Sequence, residues 1–158
     1  MLRSGVERLI REISDNGLRL AIATTTRRIN LENLLDNNMK RDTADSFEVF
    51  GTGESATDKK PAPDVYLRVL EQLALPPEAC IAIEDTENGL HTARGAGIAT
   101  VITTSPYTEG GDFTSAVAVV DRLGEPDHPF RILHGDSRDK TFVDVELLRH
   151  WHSQNTAV

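Results

Sequence analysis

Short apolar runs alternate along the chain with stretches of helical spacing, and this alternation constrains the fold more than any other feature. The first run, "LRLAIA" at 18–23, is apolar apart from Arg19 and reads as a strand covered on both faces, as in a parallel sheet. Before it, "MLRSGVERLIREIS" reads as a helix. Ser4 and Glu7 have capping-box spacing, Val6, Leu9, Ile10 and Ile13 recur on one helical face, and Gly17 supplies the stop. The unit then repeats, with helices predicted near 29–37, 63–73 and 87–96 and strands near 47–50, 80–83, 99–104 and 116–121. Pro76 and Pro77 punctuate one junction and Gly97 closes another helix. Such alternation predicts an α/β fold with a doubly wound parallel sheet. Beyond Asp121 the chain is polar and rich in turn residues until a last helix near 143–152, docked through Leu147, Leu148 and Trp151. No repeat, low-complexity tract or linker interrupts the chain, so residues 1–158 read as a single domain.

Charge narrows the partners. A net charge of −8 argues against nucleic acid and against an anionic membrane surface, and favours a small molecule or a protein. No apolar run reaches the ~18 residues of a membrane span. The amino-terminal stretch has the arginines of a transit peptide, but Glu7 and Glu12 are acidic residues that such peptides avoid. The one cysteine, Cys80, excludes an internal disulfide and reads as a small core residue, which together point to a cytoplasmic protein. His150 and His152, two apart on a predicted helix, fall on different faces and read as solvent-exposed, not as joint ligands. His91 and Arg94 read as exposed helix positions near a turn of interest.

In parallel α/β sheets functional groups gather where the carboxyl ends of strands meet the following turns. Three such turns carry chemistry here. After 18–23 come Thr24, Thr25 and Thr26, whose hydroxyls and backbone N–H groups suit an oxyanion, or else simply cap the next helix. In "GTGESATDKKPAPDVY", Lys60 stands before a Pro-Ala-Pro-Asp helix start, where Pro63 and Asp64 fit the first turn; the bland alternative is a solvated Lys59 and Lys60 pair. In "IAIEDTENGLHTARGAGI", Glu84 and Asp85 close an apolar strand, and the next helix keeps only Gly89, Ala93 and Ala96 on its inner face. Adjacent carboxylates repel one another, so a hard cation such as Mg²⁺ between them and a phosphate accounts for the pair. An N-cap role for Asp85 or Thr86 accounts for only one of them.

Taken in order, "LAIATTT", "KPAPDVY" and "IEDTENGLHTARGAG" resemble motifs two, three and four of the haloacid dehalogenase superfamily of phosphatases and mutases. The resemblance covers about 4–121, and "TSPYTEGGDFTSAVAVVDRLGEPDHP" looks like its CbbY-like branch, whose members dephosphorylate sugar phosphates. It implies a Rossmannoid core and a phosphorylated small-molecule substrate. By the same resemblance Thr24 is a catalytic, phosphate-binding hydroxyl, Thr25 assists through its backbone, and Lys60 is the cation bridging nucleophile and phosphate. Asp85 would be a direct Mg²⁺ ligand and Glu84 its partner in the metal shell. A metal, a lysine and a hydroxyl converging from three turns would meet the charge on a phosphoryl group in transfer.

The family's first motif, D-x-D-x-[TV], supplies the attacking aspartate and the proton donor. No two aspartates of this sequence are separated by a single residue; Asp136 and Asp139 lie in the polar tail. The opening "MLRSGV" resembles the return from the helical cap into the core, so the expectation is an amino-terminally truncated core lacking the first central strand and the cap. In the family that strand lies between those carrying Thr24 and Glu84. Its loss would leave those strands either paired directly or separated by a cleft, with central edges open to self-association. The expected function is therefore a Mg²⁺-dependent phosphatase, catalytically incomplete as this chain alone. A phosphomutase of the same superfamily, or a non-catalytic phosphate- and Mg²⁺-binding interaction module, is the alternative.

Overall fold

The computed structural model describes residues 2–52 and 64–155. In chain order these hold α1 (Val6–Asp15), β1 (Leu20–Ala23), α2 (Arg28–Asn38), α3 (Arg41–Ala44), β2 (Phe47–Gly51), α4 (Asp64–Leu73), a 3₁₀ turn (Pro77–Ala79), β3 (Ile81–Glu84), α5 (Glu87–Gly95), β4 (Ala99–Thr103), β5 (Ala118–Val120), β6 (Ile132–His134) and α6 (Val145–Asn155). The α/β class expected from the alternation is the class observed. Among the described residues the strands form two sheets, β1-β2 and β3-β4-β5-β6. The pairs β1-β2, β3-β4 and β4-β5 are parallel.

Helices cover both faces. On one, Leu9 of α1 and Leu147, Leu148 and Trp151 of α6 pack with Val101, Ala118 and Val120. On the other, Val65, Tyr66 and Leu70 of α4 pack with Ala82 and with Ala93 of α5. Successive residues of β4 therefore enter different clusters, Val101 the first and Ile102 one with Leu90 and Phe113. All five residues of β4 are buried, the strand condition that a continuous apolar run implies.

Several expectations are corrected. The parallel sheet has an antiparallel edge, β6, within the stretch that reads as polar turns. Its three residues are too few and too exposed to leave a periodic signal. The capping box at Ser4 and Glu7 does not form. Gly5 takes the N-cap position with φ 86°, Ser4 Oγ has no hydrogen-bond partner among the described residues, and Glu7 pairs with Arg11 at 3.1 Å. The segment instead bends over the sheet. Arg3 donates to the carbonyls of Thr103, Thr104 and Asp121, and the Gly5 amide donates to Glu125 Oε1 at 3.0 Å. A Cβ at Gly5 would lie 2.5 Å from the Gly124 carbonyl oxygen, so glycine is required there for space as well as for φ.

β1 is also less covered than its composition predicts. None of its four residues is buried. Among the described residues it pairs only with β2, and its other edge faces β3 across a cleft of about 690 Å³. The strands carrying Thr24 and Glu84 thus leave a cleft.

Candidate functional site

Thr24 continues the ladder one step beyond β1, its amide donating to the Gly51 carbonyl at 2.8 Å. Its hydroxyl oxygen accepts the Thr26 amide at 3.1 Å, closing a tight turn. Thr25 and Thr26 are exposed. None of the three caps α2: Arg27 is its N-cap residue and makes no side-chain cap bond. The Thr24 oxygen serves as acceptor in the turn, and its hydroxyl keeps one donor hydrogen to offer.

At the end of β3 the two carboxylates diverge. Glu84 is buried and accepts a 2.5 Å hydrogen bond from the Tyr66 hydroxyl of α4, whereas Asp85 is exposed. Burial holds the Tyr66 hydroxyl protonated far above the usual tyrosine range, and the charges of Glu84 and Asp85 and the bond to Glu84 push the same way. Thr86, not Asp85, caps α5, accepting the Gly89 amide at 3.0 Å. Both carboxylates are therefore left over from helix capping. Gly89 packs directly on Glu84: a Cβ there would lie 2.5 Å from the Glu84 carboxyl carbon and closer still to Oε2. The small inner face of α5 makes room for this acid.

Tyr66 also joins the two halves of the rim. Ala23, the last residue of β1, packs against the cluster containing Tyr66 and Ala82, while at the other strand ends Arg19 lies close enough to influence the Cys80 thiol. β1 and β3 thus run in the same sense, with Thr24, Glu84 and Asp85 following their carboxyl ends. Lys60, like Lys59 and Pro63, lies outside the described residues. Tyr66 has no role in the sequence reading. Its signal was a tyrosine at a core position of α4, which requires a partner for its hydroxyl.

Among the described residues no group of three or more His, Cys, Asp or Glu side chains gathers as a metal site. Glu84 and Asp85 are nonetheless hard oxygen donors of the kind Mg²⁺ takes one or two at a time, completing its shell with water and phosphate oxygens, so the donor set fits that ion.

Other candidates resolve away from the rim. Cys80 is half-buried, packed against the core cluster of Val65, Tyr66 and Ala82 and also lining the cleft, and burial raises its thiol while Arg19 opposes the shift. His150 packs against the 136–138 loop, 3.4 Å from Asp136, and His152 lies 2.7 Å from the Glu78 carbonyl, so neither is simply solvated. Arg94 donates to Asn155 at 2.6 Å, and exposed His91 sits 3.9 Å from Glu87. No described helix is long and apolar enough to cross a membrane.

Residues 1–103 match the family described as haloacid dehalogenase-like hydrolase. The chain is 50% identical over 115 residues to Protein CbbY of Rhodobacter capsulatus, covering 73% of this chain and 51% of that protein. It is 43% identical over 151 residues to the plasmid-encoded Protein CbbY of Cupriavidus necator, covering 96% and 59%. Among solved structures, a CbbY variant from Rhodobacter sphaeroides in complex with xylulose-(1,5)bisphosphate superposes with a TM-score of 0.71 at 36% identity, over 80% of this chain and 57% of that one. The chain spans about half the length of the curated relatives it matches.

Proposed function

The chain belongs to the haloacid dehalogenase-like hydrolase family, as a CbbY-like member, and from that premise we propose that it is the phosphate- and Mg²⁺-holding core of a sugar-phosphate phosphatase. The observation that carries this reading is the rim itself. Thr24 follows one strand and Glu84-Asp85 another, and Tyr66 packs between the strand ends. In this reading the Thr24 hydroxyl and the Thr25 amide bind phosphate oxygens, and Lys60 supplies the positive charge between phosphate and nucleophile. Asp85, exposed at the rim, and Glu84, held by Tyr66, bind Mg²⁺. Bound Mg²⁺ would neutralise charge on the transferring phosphoryl group. Glu84 contributes a carboxylate whose position is fixed before substrate arrives, by the Tyr66 bond and the flat surface of Gly89.

Xylulose-(1,5)bisphosphate, bound by the Rhodobacter sphaeroides protein, indicates the class of substrate: a small phosphorylated sugar. The single cysteine supports a cytoplasmic setting. In this reading residues 1–158 act as one core domain. They contain no D-x-D pair to attack phosphorus and protonate the leaving group, so the chain alone binds without turning over.

Titration calorimetry and a phosphatase assay on the purified chain test this together. Mg²⁺ and phosphate should bind weakly, Asp85→Asn should abolish Mg²⁺ binding, and sugar-phosphate hydrolysis should not exceed that of the Asp85→Asn control. Joining an upstream strand bearing D-x-D should produce turnover. Mg²⁺-dependent hydrolysis by the 158-residue chain, lost in Asp85→Asn, would show that another residue is the nucleophile.

A further inference from the structure

The two carboxylates that close β3 are held very differently. Glu84 is still in the ladder, in register with buried Ile102 of β4, while Asp85 lies beyond it and is exposed. The Glu84 side chain is gripped from two helices. Its Oε1 accepts the Tyr66 hydroxyl of α4 at 2.5 Å, and the carboxylate lies on Gly89 of α5, where a Cβ would come within 2.5 Å of the carboxyl carbon. Both supports are themselves fixed. Tyr66 is 8% exposed, in the cluster that joins α4 to Ala82 of β3 and Ala93 of α5, and the Gly89 amide is tied to Thr86 in the cap of α5. Glu84 therefore cannot turn its carboxylate plane without breaking the Tyr66 bond.

That restraint acts unequally on the two common hard cations. Ca²⁺ takes about six to eight oxygens in a flexible geometry and often draws both oxygens of one carboxylate, whereas octahedral Mg²⁺ keeps several waters and takes one oxygen from each of one or two carboxylates. With two carboxylates at this strand end, Ca²⁺ approaches its coordination number only by drawing both oxygens from each. Exposed Asp85 is able to supply two. Glu84 supplies two only by turning, which leaves the buried Tyr66 hydroxyl without this acceptor. Mg²⁺ asks Glu84 for one oxygen and leaves the bond in place. We propose that Tyr66 is a positioning residue that selects Mg²⁺ over Ca²⁺, by holding Glu84 so that it offers a cation one oxygen and not two. The inference rests on the Mg²⁺ reading above and adds which ion the site refuses and which residue makes it do so.

Titration calorimetry on the full 158-residue chain, with the signal of Asp85→Asn subtracted to remove binding elsewhere on an acidic surface, gives the affinity of this site for each ion. The wild-type chain should prefer Mg²⁺. Tyr66→Phe, which loses only the hydroxyl, should lower the ratio of Mg²⁺ to Ca²⁺ affinity by about tenfold. A merely structural loss would weaken both ions together. A second measurement leaves the rim unaltered. The chain has two tyrosines, Tyr66 and the exposed Tyr107, so ¹³C-labelling at tyrosine Cζ gives two resonances, and Tyr107→Phe removes one and identifies the other. Saturating Mg²⁺ should leave the Tyr66 resonance at its hydrogen-bonded position, while Ca²⁺ should either fail to fill the site or shift that resonance as it does so. If Tyr66→Phe unfolds, this comparison decides the matter. Tighter binding of Ca²⁺ by the wild-type chain, or an unchanged ratio in folded Tyr66→Phe, would overturn the inference and leave the cation site standing. So would a Tyr66 resonance that moves with Mg²⁺ or stays in place as Ca²⁺ fills the site. Mg²⁺ binding that is absent, or equal in wild type and Asp85→Asn, would overturn the site and the inference together.

Discussion

The strands β4 and β1 are written in nearly the same alphabet, "ATVIT" and "LAIA", yet all of the first is buried and none of the second is. β4 has a parallel neighbour on each side and a helix layer on each face, while β1 has one neighbour, β2, and a cleft beyond its other edge. Apolar composition states what a strand needs. Burial is then set by whether neighbours in space supply it, and the two halves of this sheet differ in that supply.

The four-stranded half depends most on Trp151, which is fully buried among Leu9, Val101, Val120 and Val143 and donates to the Asp136 carbonyl at 2.8 Å. Trp151→Ala removes the largest buried side chain of that cluster and should cost about 3–5 kcal/mol by urea denaturation. Hydrogen exchange sharpens the contrast. Amides of β4 and β5 should accelerate with the lost stability, whereas those on the cleft edge of β1, which no described strand pairs, should exchange fast from the start and change little. Equal acceleration in both halves would show one cooperative unit.

Gly89→Ala probes the seam where the halves meet at Tyr66. Its Cβ would press into the Glu84 carboxylate, itself held by the tyrosine, so a loss of about 1–3 kcal/mol is expected. Removing the obstruction with Glu84→Ala should cancel most of that loss in a double-mutant cycle. A full, additive loss in the Glu84→Ala background would mean that α5 is not fitted to the acid.

The same contrast explains what sequence reasoning reached. Helices and strands with strong periodicity, and the carboxylate pair closing β3, follow from short-range pattern. β6 was missed because three exposed residues carry no period. The capping box was wrongly expected because Arg3 and Gly5 are fixed by partners 100 or more positions away, Thr103, Thr104, Asp121 and Glu125, which no local signature contains. Tyr66 falls between these cases: its burial follows helical spacing, but its bond to Glu84 requires α4 to cross the end of β3. Lys60 lies outside the described residues, so its part in the rim rests on the resemblance alone.

The smallest effect tests the open half directly. Cys80 borders the cleft at the amino end of β3, and partial burial disfavours its thiolate, with Arg19 pulling weakly the other way. Its alkylation by iodoacetamide should therefore rise with pH around a midpoint above that of the same thiol in the urea-unfolded chain, near the ordinary value of about 8.5. The sign for stability follows. The folded thiol keeps its proton at pH values where the unfolded one has lost it, so this group's contribution is intact below the unfolded pKa and is lost as pH climbs through the folded one. Arg19→Ala removes the opposing charge and should move the alkylation midpoint slightly further upward. The shift is small because Arg19 is solvent-screened and already paired with Glu48 at 2.5 Å. Coincident folded and unfolded midpoints would mean that water fills the cleft as far as Cys80, and the open half would then be a hydrated gap rather than an apolar slot.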